Sequence, residues 1–560
     1  MEMRSHYNHL TLSENQYCTS LVPPLFKLCI NRIFLNKRGK AELAGDCSSK
    51  SCGKSWSNMT LRLTKSGRES TASNLTVNHL RMSHTGATMS SWAATELETA
   101  DLGDVRRNRR LVHLVEDLAA RPESSVPQAS RDGASTQAAY DFWQSPHVKP
   151  QDILAGHRDR TVERVKQQSV VLAIQDTTEF NFTSHPKTQG LGYLDNANSR
   201  GLKMHSVLCV STQQVPLGVL HQEVWVRDLG QLGKKHQRHK RPIQDKESQR
   251  WLTALLATEQ AIDESVRVVT VADQEADIYE LFALPRRTNS ELLIRAYHNR
   301  SVKSFAEPTV EKLQQAIGQS PVCGQLRLEL PRQPQRQPRC ATLTLRFATV
   351  ELQPPQQHPQ RASLQPLTVQ VILAQEEHPP TGVEPIHWLL LTTLALADVA
   401  DVVQSLRWYS YRWLIERYHY VLKSGCRVEQ LQLESAARLQ RALATYAIVA
   451  WRLLWLTYQA RAFPDQSADS VLAPHEWQAL YCRIHKTSIP ATTPPTLHNC
   501  VRWIAQLGGF LGRKRDGDPG VKTLWRGLRR LHDIAVTWQL SHPCLPVVNS
   551  PTVKKDAINA

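Results

Sequence analysis

The spacing of apolar positions changes period several times along the chain, and each change marks a segment. Residues 1–88 carry Ser, Thr, Asn and scattered Lys and Arg with no sustained period. Such a stretch is expected to be disordered, or to be a spurious extension ahead of a true start at Met89. From Ala94 the pattern turns helical. Leu111, Leu114, Val115 and Leu118 recur on one face behind Leu102-Gly103-Asp104, and helical character lasts to about residue 165. Residues 170–174 form a continuous apolar run that closes on Gln175 and Asp176, the pattern of a buried strand finishing on a carboxylate. Residues 205–211 and 218–226, separated by Gln-Gln-Val-Pro, predict a hairpin. A helix is expected over 245–265. Residues 266–272 then repeat the first design and end on Asp273, ahead of a helix over 275–284 and a strand over 292–295.

Between 303 and 395 alternating strands are broken by Pro/Gln-rich pieces such as Pro331-Arg332-Gln333-Pro334, and the region ends on the apolar run Trp388-Leu389-Leu390-Leu391-Thr392. This reads as an inserted β subdomain. From 434 to 540 amphipathic Trp, Leu and Tyr spacing predicts helices that pack on a partner subunit or on the main body, and 541–560 reads as a disordered tail.

Between these regions lies a polar stripe, Tyr409, Arg412, Glu416 and Lys423, in the pattern Y-x2-R-x3-E-x6-K. On one continuous helix the four fall within about 60° of arc, opposite Tyr411, Leu414, Ile415, Tyr418, Val421 and Leu422. One carboxylate among two cations and a phenol suits a metal ion beside nucleic-acid phosphates, and it also suits an ordinary solvated face. Asp176 and Asp273, at the carboxyl ends of strands, stand where open sheets build their sites, although either also fits a helix cap or a turn. Carboxylates brought within about 4–6 Å of each other stay ionised only around a cation. Mg2+, with Mn2+ as a substitute, meets that need with oxygen ligands, and two such ions suit phosphodiester chemistry.

Composition narrows the choice of partner. The 560 residues allow about three or four domains. Lys plus Arg total 68 against 51 Asp plus Glu, a net charge of +17 and a sequence pI near 9.5, which favours polyanions and nucleic acid above all. Arg106, Arg107, Arg109 and Arg110 form a compact basic surface, and a loop of Lys234, Lys235, Arg238, Lys240 and Arg241 forms a second. Eleven cysteines without a C-x2-C pair argue against a disulfide framework or a zinc cluster. The longest apolar candidate, residues 21–35, is interrupted by Lys27, Asn31 and Arg32, so no membrane association is expected and the location expected is cytoplasmic.

Taken in order, the motifs become specific. Asp176-Thr177-Thr178 after a strand, D-x-E-A-D over 273–277, the W-L-L-L-T run and the Y-x2-R-x3-E-x6-K segment together resemble the DDE transposases of the insertion sequence four (IS4) family, in its transposon five branch. The likeness spans about residues 90–540, including Leu507-Gly508-Gly509-Phe510 near its end. It implies an α/β fold: a ribonuclease H-like mixed-sheet core carrying a β-strand insertion, flanked by an N-terminal helical DNA-binding domain and a C-terminal helical domain. The implied boundaries are 89–165 for end binding, 166–302 for the first part of the core and 303–395 for the insertion. The catalytic helix follows at 396–433 and dimerisation at 434–540.

By the same resemblance Asp176, Asp273 and Glu416 are the catalytic, metal-binding triad. Tyr409, Arg412 and Lys423 hold backbone phosphate near a flipped base, and Trp388 is the ring on which that base stacks. Arg106, Arg107 and Arg110 lie on the end-binding surface, and Arg295 is a basic residue leading into DNA-facing loops. The implied activity is cut-and-paste transposition of a mobile element by a homodimer on its terminal inverted repeats, by nicking, hairpin formation and strand transfer to target DNA. Two departures, Gln274 and Asp141 where the family branch has arginines, bear on which end sequence is recognised. Two alternatives remain open. One is an inactive relative that binds ends and regulates transposition. The other is a carboxylate hydrolase of a small substrate, which would need neither Trp388 nor the basic stripe.

Overall fold

The computed structural model describes residues 91–542, apart from 234–240, 305–308, 331–337, 359 and 515, together with a two-residue strand at Lys27–Leu28. The rest of the 1–88 extension, Met89, the loop cations Lys234, Lys235, Arg238 and Lys240, the Pro331–Pro334 piece and the tail from 543 lie outside the described residues.

The N-terminal helices form where the apolar period placed them. Helix α1 (Val105–Ala120) buries Leu111, Leu114, Val115 and Leu118, and Asp104 caps it by accepting from the Arg106 N–H. Gly103 adopts φ +71°, a conformation that a side chain would disfavour, and this turns the chain into the helix. Helices α2 (Gly133–Gln144) and α3 (Pro150–Lys166) follow. A short helix at Trp92–Glu96 is fastened to α3 by a buried network. Arg164 pairs with both oxygens of Glu96 at 2.8 Å, and His157 Nδ1 lies 2.5 Å from the same carboxylate. His157 Nε2 accepts from the Val219 N–H at 2.9 Å, so its proton sits on Nδ1 and the ring is neutral.

The sheet begins with β1 (Val170–Asn181), β2 (Arg200–Ser211) and β3 (Pro216–Trp225), which pair antiparallel in that order. Helix α4 (Gln249–Ala261), shorter at both ends than the 245–265 expected, leads to β4 (Arg267–Ala272) and β5 (Ser290–Arg295). Both are parallel: β4 pairs with β1, and β5 pairs with β4. The order β3-β2-β1-β4-β5 is the mixed ribonuclease H-like sheet that the resemblance implied. Its strands are buried on both faces. Leu172 and Ile174 of β1 join the cluster under the long helix α7 (Ala436–Ala462), whereas Val171 and Ala173 join a cluster with Val165 of α3 and Ala254 of α4.

Strands β6 (Val322–Leu330), β7 (Arg339–Leu352), β8 (Leu367–Gln375) and β9 (His387–Thr392) come from the insertion. They are not a sheet of their own. β9 pairs antiparallel with β5, and β8, β7 and β6 follow outward, so the insertion lengthens the core sheet and covers an edge that would otherwise stand open. Helices α5 (Val399–Ser410) and α6 (Trp413–Tyr420) return to the core, and α7 is followed by α8 (Pro474–His485), α9 (Leu497–Leu507) and α10 (Val521–Ser541). No disulfide forms among the described residues, and no helix among them is long and apolar enough to cross a membrane.

Candidate active site

The register of β1 on β4 brings the two aspartates together. The last parallel pair is Ile174 with Val271, and two residues further on, on the same face, each strand reaches its aspartate. Only one of them ends its strand. β1 continues five residues past Asp176 to Asn181 because β2 keeps pairing with it, Asp176 opposite Ser206, so the expectation of a strand finishing there is corrected. Asp273 does terminate β4. Its carboxylate accepts from the Glu275 N–H at 2.9 Å and caps a 3-10 turn, Gln274–Ala276, so it is a cap and a site residue at once. The helix expected over 275–284 is reduced to this turn and Tyr279–Ala283, since buried Asp277 between them is engaged by the chain beyond β5.

Electrostatics tie the acids to one another. The Asp273 carboxyl is held above its ordinary range by burial first and by the charge of Asp176 second, with Glu416 adding to the rise and Arg412 opposing it. Glu275 is raised as well, by burial, Asp273 and Asp176. Asp176 and Glu416 therefore both lie within reach of Asp273, with Glu275 as a further acid for which sequence reasoning gave no role.

The helix carrying Glu416 is not continuous, which corrects the single-helix reading of the polar stripe. Tyr409 lies near the end of α5. Tyr411, Arg412, Leu414 and Ile415 then donate to carbonyls three residues back, a tightened turn, before α6 resumes. After α6 the chain widens into a π turn, Val421–Gly425, where the Cys426 N–H reaches the Val421 carbonyl at 2.7 Å. The two distortions change the angle between successive side chains, so the stripe is divided among three local geometries.

Each polar residue of the segment has a distinct setting. Tyr409 is buried, its ring 5.9 Å from that of Trp388 at 67°, and burial raises its phenol. Arg412 pairs with Glu416 one turn on; burial alone would lower the guanidinium, but Glu416, then Tyr409 and Asp176, push it up. The Glu416 carboxylate stays half exposed. Lys423, on the π turn, holds its ammonium 5.5 Å over the ring of Phe180, and burial lowers its pKa against the pull of Glu429, Glu179 and Asp176. Arg295, at the end of β5, donates to the His387 carbonyl at 3.4 Å beside Trp388, and its charge reaches Tyr409.

Arg106, Arg107 and Arg110 belong to α1, which packs on α7 rather than beside the carboxylates. Arg106 is exposed; Arg107 donates to the Leu102 carbonyl at 2.9 Å and braces the turn at Gly103. Asp141 is exposed and accepts from Gln137 on its own helix.

Sequence reasoning missed a histidine layer behind the acids. His419 Nδ1 lies 3.5 Å from Asp176 Oδ2, and its Nε2 finds no hydrogen-bond partner among the described residues. The signal was present in the E-x-x-H spacing, which puts His419 on the same side of α6 as Glu416. His205 contacts the Thr177 hydroxyl at 2.9 Å and Gln175 Oε1 at 3.2 Å, and burial, then His221, bring its pKa down to about 3.

Among the described residues no three His, Cys, Asp or Glu side chains stand as a ready cage for a metal ion. Glu416 is paired with Arg412. The remaining pair fits a hard divalent cation in its donor chemistry: two carboxylates on adjacent strands, with burial and the charge of Asp176 raising the cost of the charge on Asp273.

Three family models match this chain. Transposase DNA-binding covers residues 89–148, Transposase DDE domain covers 233–452, and Transposase Tn5 dimerisation domain covers 448–539. The DDE match contains Asp273 and Glu416 and begins beyond Asp176.

Proposed function

Because the chain belongs to the Tn5-like DDE transposases of the insertion sequence four family, we propose that it moves its element by cutting and pasting, with Asp176, Asp273 and Glu416 as the catalytic acids. The observation that carries this reading is the pairing of β1 and β4, which brings Asp176 and Asp273 to neighbouring positions on one face under α6. A divalent cation bound there, Mg2+ or Mn2+, would supply Lewis acidity for an attacking water or 3′-hydroxyl and for the leaving oxygen.

In this reading the chain's own groups position the DNA. Arg412 and Lys423 are cations on either side of Glu416, set to hold the phosphates that flank the scissile bond. Arg412 contacts Glu416 in the protein alone, and a phosphate arriving at Arg412 competes for that guanidinium and releases the third acid. Trp388, packed against Tyr409 and close to Arg295, offers a ring for a base turned out of the duplex, and Lys423 over Phe180 borders the strand leaving Asp176. Arg106 and Arg107 occupy the first turn of α1, where the helix dipole disfavours positive charge, a cost that a bound phosphate removes. Hydrolysis at the element end frees a 3′-hydroxyl, which attacks a phosphodiester of the opposite strand and displaces the flanking DNA's 3′-oxygen to form a hairpin; water then reopens the hairpin before transfer into target DNA.

The test is incubation with the element's own terminal repeats and Mg2+. Nicking by the wild type and none by Asp176→Asn supports the reading; equal behaviour of the two refutes it. The Arg412–Glu416 pair favours one alternative, an end-binding relative that regulates transposition without cutting. Tight, specific end binding with no nicking at any metal concentration would select it.

A further inference from the structure

The chain that follows β5 is built around a buried acid. Asp277, 3% exposed, accepts from the backbone N–H groups of Tyr297 and His298, each at 2.8 Å, and pairs with Arg300 at 2.6 Å. Arg300 also donates to the Asp277 carbonyl at 2.6 Å. Charge-assisted bonds of this kind fix a loop firmly. What the loop presents is Tyr297, 66% exposed, its ring edge-on to that of His298 at 5.0 Å. A large ring held rigidly in water contributes little to folding and is already ordered for a ligand.

Tyr297 lines a cavity of about 460 Å³ whose other walls include Thr177, Gln274, Trp225 and Trp251. Thr177 directly follows Asp176, and Gln274 directly follows Asp273. Thr177 faces the opposite side of the sheet from Asp176, and the cavity reaches the acids at the end of β4, where Gln274 and Glu275 of the turn capped by Asp273 line it; a strand whose scissile phosphate lies at the two aspartates and that continues over this turn meets the cavity. Two ion pairs, Lys203 with Asp195 and Arg227 with Glu247, make part of the wall polar. Arg250 covers the Trp225 ring at 3.9 Å and Trp251 is buried against His205, so the exposed ring is that of Tyr297, and an exposed ring beside polar groups matches a planar heterocycle that carries hydrogen-bonding edges.

We propose that this cavity receives a nucleobase unstacked from the DNA strand beside the cleavage site, with Tyr297 as its stacking face. The inference rests on the reading of Asp176 and Asp273 as acting on DNA. The base comes from the strand flanking the element or from the target strand, and the two sources share the same chemistry.

The experiment uses the full chain with DNA carrying aminopurine at successive single positions, on uncut element ends with their flank in one arm and on target duplex offered to pre-cut ends in the other. One position in one arm is expected to be quenched by the wild type and by Tyr297→Phe, and to recover its emission with Tyr297→Ala while remaining quenched with Trp388→Ala. The arm identifies the source. Tyr297→Ala is expected to weaken binding of that DNA about fivefold or more. The proposal is overturned if no position depends on Tyr297, or if the position that does also loses its quenching in Trp388→Ala, which would mean one shared stack. Nicking by the wild type is scored separately: its absence would count against the catalytic reading while the aminopurine result still decides the cavity.

Discussion

His419 places its Nδ1 3.5 Å from Oδ2 of Asp176, linking the helix that carries Glu416 to the strand that carries the first aspartate. The contact is made by Nδ1, the ring nitrogen nearer the backbone, and the far nitrogen has no partner among the described residues.

That asymmetry separates two isosteres. In His419→Asn the amide nitrogen can stand where Nδ1 stands, whereas in His419→Gln it reaches toward Nε2. We expect Asn to keep Mn2+ affinity in the DNA complex near wild type, and Gln and Leu to weaken it about tenfold or more. Titration of Mn2+ followed by its magnetic resonance signal checks this. Gln or Leu outperforming Asn would show that His419 only fills space.

Arg412 and Glu416 predict opposite effects on metal and DNA. Arg412→Gln frees the carboxylate, so without DNA the protein should bind Mn2+ about two- to fivefold more tightly, a modest gain because the pair is partly exposed. Affinity for element ends should fall at the same time. Calorimetry with the metal alone and gel shifts with the ends measure the two; a parallel change in both would rule out the competition.

Acid should loosen the fastening of the first helix. Glu96 is held at about 2 against an ordinary 4.5: burial works to raise it, and the bonds from His157 and Arg164 overcome that. A lowered carboxyl stabilises the fold above about 4.5, and the contribution is lost as pH falls toward 2. Burial holds His157 below 6.5, so its neutral form adds a loss of stability that starts as pH drops below 6.5. Glu96→Gln should cost about 3 kcal/mol at pH 7, and its melting temperature should approach that of the wild type near pH 3. A gap in melting temperature that stays constant from pH 7 to 3 would contradict this.

We expect two chains to pair through the last helix, which lies largely within the dimerisation-domain match. Val536 and Leu540 of α10 are 45% and 81% exposed and one turn apart. The double variant Val536→Glu, Leu540→Glu should bind single ends normally and fail to form a two-end complex, as judged by light scattering. Full retention of that complex would place the contact elsewhere.

How much of this was legible in the sequence depended on how local the controlling force was. The buried face of α1 and the strands around Asp176 and Asp273 follow from apolar period alone, and the order of acids, tryptophan and polar segment was enough to suggest the family. The tightened turn at Arg412 and the π turn at Lys423 were hidden, because no Gly or Pro lies in the 409–423 segment and the break appears only in the backbone hydrogen bonds. The run past Asp176 was hidden for a related reason: β2, thirty residues away in sequence, decides where β1 stops. His419 and Asp277 carried visible spacing but no apolar signature, so their roles emerge only from what they touch.

The insertion joins the core through β5 and β9, which gives Trp388 and Asp273 a common rigid frame. A protein with a hinge between these parts could adjust their spacing to fit an undistorted duplex. Here the spacing is fixed by backbone hydrogen bonds across a sheet, so if Trp388 and Asp273 both engage DNA as proposed, the nucleic acid bears the deformation, and elements whose terminal base steps unstack easily should be the better substrates.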